Sequence, residues 1–439
     1  MTTRFIILLL AVAATLPAWS ADYMPRPHRL QAQAKAAAEQ IWRHGTQTTY
    51  EYFDGWELTE ISRFTYDRQG RQLTQYLDAY DSNGTITNRS RYTYEYGSDN
   101  RRFTRRQTDT SIEGIYYDPT ELTRRRYDER IDYAIVENIE ATWGGVDWIE
   151  QGNCYQREIT RNDDGNVVSV VVSVPYNGYY TPIQRTTLTY GDDGLPTTML
   201  LEVLTQGDEP GTFVWGVSQE YLECKWNQFN GQILSVEDLP YYGNRLASAK
   251  IRVAEGVYGT LSYTYPDEMG SYRAVQKFTD NGLIKDIVAT MTVLDDNGSY
   301  DFVIEEISGL GSVIERYAET EKFHLDAFGN NTLIYASSTT NGRESIEMWM
   351  TGEIEYNATT GYPEVYTLSE RNAETGDFEL RMRVEFTDIV DAAGVEAIDS
   401  DYNAPAEYFD LRGLRIASPT APGLYIRRCG SQVDKILVR

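Results

Sequence analysis

The chain has 439 residues, 66 acidic against 40 basic side chains, and a formal charge of -26. So large an acidic excess argues against a nucleic-acid binder, which needs a basic footprint. Tyrosine and glycine number 34 each, a composition that favours strands and turns over helices.

In chain order, the first element reads as a signal peptide over residues 1–21. Arg4 supplies the positive start, Phe5 to Leu16 the apolar core, and Pro17-Ala18-Trp19-Ser20-Ala21 a small-residue exit. No cysteine stands at that exit to carry a lipid, so the expected mature chain has no lipid anchor. The apolar run is too short for a good span, and no later stretch of about twenty residues lacks charges, so no transmembrane span is expected. Residues 22–47 read as a short N-terminal helical segment: Leu30, Ala34, Ala37, Ala38 and Ile41 share one face, and Gly45 is the stop. So short an Ala-rich helix needs something to pack on.

Residues 48–391 repeat one device, an alternating run of Tyr, Thr, Val or Leu followed by an Asp/Asn/Gly turn. Phe64-Thr65-Tyr66-Asp67-Arg68-Gln69-Gly70, Leu188-Thr189-Tyr190-Gly191-Asp192-Asp193-Gly194 and Lys277-Phe278-Thr279-Asp280-Asn281-Gly282 are examples. Glycine takes the positive φ of a tight hairpin, Asp and Asn tolerate it, and alternation buries every second side chain. The turn glycines keep a metre that implies a two-hairpin unit of about 30 residues. The expected fold is all-β: an elongated antiparallel meander of hairpin repeats, with the short N-terminal helix and a small C-terminal β tail. Phe378, Leu380, Met382, Val384 and Phe386 alternate with Glu379, Arg381, Arg383 and Glu385, which predicts a strand with one apolar and one charged face. Tyr92, Tyr94 and Tyr96 alternate in the same way and suit half-burial with the hydroxyl in water.

Asp163-Asp164, Asp192-Asp193 and Asp295-Asp296 lie on predicted turns, where Asp belongs for backbone reasons, and Glu305-Glu306 is a fourth adjacent pair. Leu294-Asp295-Asp296-Asn297-Gly298-Ser299 lacks the ligand order and flanking helices of a calcium loop and reads as a hairpin turn. His28, His44 and His324 are the whole histidine supply; His28 and His44 flank the leading helix and His324 reads as a strand residue before Asp326. Cys154, Cys224 and Cys429 admit at most one disulfide, such as Cys154 with Cys224, or three isolated thiols. No enzyme, cofactor or metal is expected. Trp56, Trp143, Trp148, Trp215, Trp226 and Trp349, with Tyr179-Tyr180 and Tyr241-Tyr242, are either glycan-stacking platforms or cross-strand packing pairs.

Two segments carry a resemblance. Phe64 to Arg71, and Trp148 to Val167 with Asn162-Asp163-Asp164-Gly165-Asn166, resemble the degenerate Tyr-Asp-x-x-Gly hairpin repeats of secreted Bacteroidota proteins and the short repeats of YD-repeat shells. After a linker over 392–405, residues 406–439 look like a type A sorting domain of the type IX secretion system. The matching positions are Tyr408, Gly413, Gly423, Tyr425, Ile426 and Lys435. That resemblance implies the secretion translocon as a partner of the tail, and an extracellular or outer-cell-surface destination. Residues 401–439 hold six basic against four acidic side chains, so the body carries the acidic excess.

The function these features suggest is a secreted or cell-surface, non-enzymatic β-repeat protein with a structural or adhesion role toward a surface glycan or a host or matrix ligand. The alternative is an extracellular glycan-binding or glycan-active protein. An outer-membrane barrel is a third reading; it requires lipid-facing apolar residues at every second position, whereas many strands here carry charges on one face.

Overall fold

The computed structural model describes residues 42–391, apart from 68, 98–101, 112–115, 132–133, 177, 208–211, 236–238, 240–243, 255 and 281, together with four short strands between 407 and 438. The strands are β1 (Trp42–Tyr52), β2 (Trp56–Tyr66), β3 (Gln72–Tyr80), β4 (Ile86–Tyr96), β5 (Phe103–Ser111), β6 (Asp118–Asp128), β7 (Ala134–Trp143), β8 (Trp148–Glu150), β9 (Tyr155–Arg161), β10 (Val167–Tyr176), β11 (Tyr179–Tyr190) and β12 (Pro196–Gln206). They continue as β13 (Phe213–Gln228), β14 (Arg245–Ala254), β15 (Val257–Thr264), β16 (Tyr272–Asp280), β17 (Leu283–Val293), β18 (Tyr300–Leu310), β19 (Val313–Leu325), β20 (Asn331–Thr340), β21 (Arg343–Tyr356), β22 (Pro363–Arg371) and β23 (Phe378–Asp391). Among the described residues there is no α-helix, only one 3₁₀ turn at Glu129–Ile131.

Apart from β8 and β9, every strand of this sheet pairs antiparallel with its chain neighbour, and β1 also pairs with β23 through Thr48↔Glu385 and Thr49↔Val384. β8 and β9 both pair with β7 and act as one strand interrupted at residues 151–154, so the circuit is a closed barrel of 22 strands. This corrects the expected elongated, open meander of YD-like repeats. Hairpin sequences set each strand against the next, but whether the last meets the first depends on strand tilt and register summed over the whole sheet. Closure removes both edges and their unpaired backbone groups. The expected N-terminal helix is corrected at residues 42–47, which belong to β1; its remainder lies outside the described residues.

Side-chain-capped turns occur at both ends of the barrel: where β3 and β22 finish, Asp81 Oδ1 accepts from the Asn83 and Thr85 N–H groups and Asn372 Oδ1 from those of Glu374 and Thr375. At the end where β2, β9, β15, β17 and β19 finish, an Asp or Asn caps the turn with its own side chain: Asp67 Oδ1 accepts from the Gln69 and Arg71 N–H groups, and Asp326 Oδ1 from those of Phe328 and Asn330. Glycine follows at positive φ, as at Gly70 (72°) and Gly329 (84°). At the same end a tyrosine closing one strand donates its hydroxyl to the carbonyl that opens the strand before: Tyr66 to His44, Tyr96 to Gln72, Tyr127 to Phe103, Tyr190 to Val167. The pair of strands is thus the repeating unit, and the buried hydroxyls of Tyr96 and Tyr190 are pushed up to about 12 by desolvation.

The core lies on the inner face of β10–β18. Met199, Tyr221, Leu246, Ile251, Leu261, Tyr272, Ile287, Met291 and Phe302 are buried there. An inner-face side chain at 0% exposure, such as Phe302, needs other atoms on top of it, so this sector is collapsed and packed. Part of the filling is the long connection from β13 to β14, whose Ile233, Leu234 and Leu239 join the cluster. Its backbone is pinned where Gly231 O accepts from Val167 N–H and Gln232 O from Asn244 Nδ2.

The seam has its own cluster. His44 of β1 places its ring 4.9 Å from Phe64 and 4.9 Å from Phe386, with Nδ1 2.8 Å from the Tyr362 hydroxyl. Burial, and then the neighbouring Arg43 charge, lower its pKa to about 4. The unfolded chain takes up this proton near pH 6.5 and the folded chain only near 4, so the stabilisation is complete above 6.5 and is lost as pH falls through that window. The loss amounts to roughly 2–3 kcal/mol. Urea unfolding at pH 7.5 and 4.5 should show it, and a His44→Gln chain should lose less stability over the same interval.

Candidate functional surface

Register assigns each side chain to a face. Inward along β14–β18 point Ala249, Leu261, Ala274, Ile287 and Phe302, while outward stand Lys250, Thr260, Lys277, Asp286 and Asp301. The outer wall is laced with ion pairs between facing strands: Arg63–Asp78 at 3.0 Å, Arg89–Asp78 at 3.2 Å, Arg185–Glu202 at 2.7 Å and Lys322–Asp301 at 3.7 Å. Around β2–β6 the buried inward side chains Ser62, Ser90, Thr108 and Thr123 are polar, and on β7 buried Asn138 stands beside the apolar Val136 and Ala134.

The candidate aromatics fall mostly into cross-strand pairs. Tyr52–Trp56, Trp143–Trp148 and Tyr335–Trp349 each stand directly opposite one another, with ring centroids 5.2, 5.2 and 5.4 Å apart. Trp226 packs on Phe229 and donates to the Pro196 carbonyl, while Trp215 lies under the Arg185 guanidinium. Tyr179 is exposed and Tyr180 donates to Glu150; Tyr241 and Tyr242 lie outside the described residues. The strand over 378–386 is divided by a bulge: Met382 faces Leu368 but Leu380 faces Ser369, so Arg381 is an extra residue. Beyond it Phe378 turns outward, 44% exposed, and meets Trp349 edge-on at 5.5 Å, with the Arg371 guanidinium over the indole.

Polar candidates are occupied by their own surroundings. Asp295 Oδ1 accepts from Asn297 and Ser299 N–H, the geometry of a turn. Glu305 points outward and Glu306 inward to Lys285 at 3.7 Å, so adjacent carboxylates cannot share a substrate. His324 Nε2 lies 2.8 Å from Asp301 Oδ1 on the outer face. Cys154 and Cys224 are unbridged; Cys154 is buried, donates to the Glu140 carbonyl and accepts from the Glu140 N–H. Burial raises the Cys224 thiol to about 12, well away from a reactive thiolate. Among the described residues no group of three or more His, Cys, Asp or Glu is placed to hold a metal.

The tail forms a separate sheet of β24 (Glu407–Phe409), β25 (Arg415–Ile416), β26 (Gly423–Cys429) and β27 (Gln432–Val438), in the order β25-β24-β26-β27. Tyr408 is on β24, facing Ile416 and Arg427; Gly423, Tyr425 and Ile426 are on β26; and Lys435 of β27 is the partner of Ile426. Gly413 lies outside the described residues.

Sequence reasoning missed one surface feature. Lys225, Lys250 and Lys277 line one groove of 560 Å³ on the outer face of β13–β16. The signal was available in composition: the chain has seven lysines against 33 arginines, and three of the seven meet here.

No protein-family model matches the chain, and no curated protein matches it. Among solved structures it is similar to a porin-like protein from Bacteroides uniformis, at 10% identity over 79% of this chain and 96% of that one, with a TM-score of 0.18. At that TM-score no argument rests on the similarity. Nor does it establish the bacterial group that the hairpin resemblance implied.

Proposed function

We propose that this chain is an exported, non-enzymatic β-shell that works through its outer wall, as a structural or adhesion component of the cell surface. The observation that carries the reading is the polarity of the wall: apolar side chains fill the inside of β10–β18, while on the outside ion pairs such as Arg185–Glu202 and Lys322–Asp301 and hydroxyls such as Thr260 and Thr290 interrupt the apolar positions Val275, Val288 and Val303. A lipid-spanning barrel requires the reverse, an apolar outer band with a polar interior. A lipid-facing Arg or Lys near the bilayer midplane costs about 2–4 kcal/mol each. The collapsed core also leaves that sector without an open conduit. Export by residues 1–21 rests on the charge and hydropathy pattern of that segment, and engagement of a translocon by the tail on the sorting-domain resemblance.

The mature chain is expected to stay in the aqueous phase when Triton X-114 is warmed through its cloud point. Recovery in the detergent phase would sink the water-facing reading. Mass spectrometry of the native termini tests the export steps: a surface-fraction chain lacking the segment after about residue 400 supports the sorting role. An intact periplasmic chain removes it. Glycan binding is the second reading, favoured by the outward ledge of Trp349, Tyr335 and Phe378.

A further inference from the structure

We propose that the groove on the outer face of β13–β16 binds an acidic saccharide, one that carries carboxylate or sulfate groups among its hydroxyls. The proposal rests on the outer wall being the working surface. Register builds the site in two adjacent rows. Lys225, Ser248 and Ser262 stand opposite one another across β13, β14 and β15, and Lys250, Thr260 and Lys277 across β14, β15 and β16. Ammonium groups therefore stand at the groove's margins and hydroxyls along its floor. Lys250 and Lys277 are two strand spacings apart, about 10 Å, a span that suits two acidic groups of one extended chain rather than a single small anion.

Between Leu222 and Lys225 β13 carries an extra residue relative to β14, and Glu223 takes a φ of 53° to absorb it. The bulge lifts this part of β13 out of regular pairing beside the groove. Lys250 is held in place, with Nζ 3.9 Å from Glu223 Oε1 and 4.6 Å from the centre of the Tyr258 ring. Lys225 and Lys277 have no ion-pair partner among the described residues. Asp286 stands opposite Lys277 on β17 without coming within ion-pair distance. In a chain of charge -26, two unpaired lysines beside a third form a local positive patch in a repulsive field. An acidic polymer would be held off elsewhere and received here, with the hydroxyl floor replacing part of the sugar's hydration.

The experiment is a calorimetric titration of the mature chain at about 50 mM salt, where screening is mild. The probes are polygalacturonate for carboxylates and chondroitin sulfate for sulfates, with neutral dextran, polyglutamate and single-stranded DNA as comparators. Saturable binding to one or both acidic polysaccharides is expected, and which one identifies the anionic group. The Lys225→Gln/Lys277→Gln chain should bind about 10- to 100-fold more weakly, the loss of two charge-assisted contacts. Thr260→Glu, which places a negative group on the floor, should do the same. Lys322→Gln, which removes one positive charge from the outer face of another strand, should leave binding unchanged. Absence of binding to both polysaccharides, an equal loss in Lys322→Gln, or equal binding of polyglutamate or single-stranded DNA would overturn the proposal. A chain that partitions into detergent removes the outer-wall reading itself; an aqueous chain that binds neither polysaccharide removes only the groove.

Discussion

A chain carrying Thr48→Cys and Glu385→Cys should oxidise spontaneously to a disulfide that joins the two ends of the 22-strand circuit. The two positions face each other in the β1–β23 ladder. Opposed residues of an antiparallel pair have Cα atoms about 4.5–5.5 Å apart, within the range a disulfide spans without moving the backbone. Peptide mass spectrometry of non-reduced digests reads the product, and a single linked species is expected in nearly all of the folded material. In an open meander the same residues would sit at opposite ends, and only intermolecular links would form. The outcome is close to all-or-none, which makes it the strongest test of closure.

Phe302→Ala should lower the free energy of unfolding by about 3–5 kcal/mol, the range for truncating a fully buried aromatic side chain. Phe302 lies on the inner face of β18 opposite Met291 and has no solvent exposure. The matched control is Glu305→Ala on the outer face of the same strand, expected within about 0.5 kcal/mol of the parent. Chemical denaturation followed by tryptophan fluorescence separates the two. Similar losses from both would mean that the inward and outward faces are wrongly assigned, and the argument from wall polarity would fall with them.

The strands and their order were legible because the information is local. Asp67 with Gly70, and Asp326 with Gly329, announce turns whose side-chain caps the structure reproduces, and alternation in Leu261-Ser262-Tyr263-Thr264 assigns faces without tertiary help. The same logic failed where an extra residue changes the parity. Phe378 and Leu380 belong to the apolar face by spacing, yet the bulge at Arg381 turns both outward, to 44% and 38% exposure. The Ala-rich stretch ending at His44 invited a helix; instead its last residues enter β1, where pairing with two strands and contact with Phe64 and Phe386 outweigh a weak local preference.

By itself the sequence determined the all-β character, the hairpin order and the acidic balance, because each follows from residues within a few positions of one another. The four strands of the tail form a sheet of their own. Only the tertiary structure decided closure, the filling of one sector by the β13–β14 connection, and the meeting of Lys225, Lys250 and Lys277 on one face. Each depends on register accumulated over many strands, and a single bulge anywhere along the way alters it.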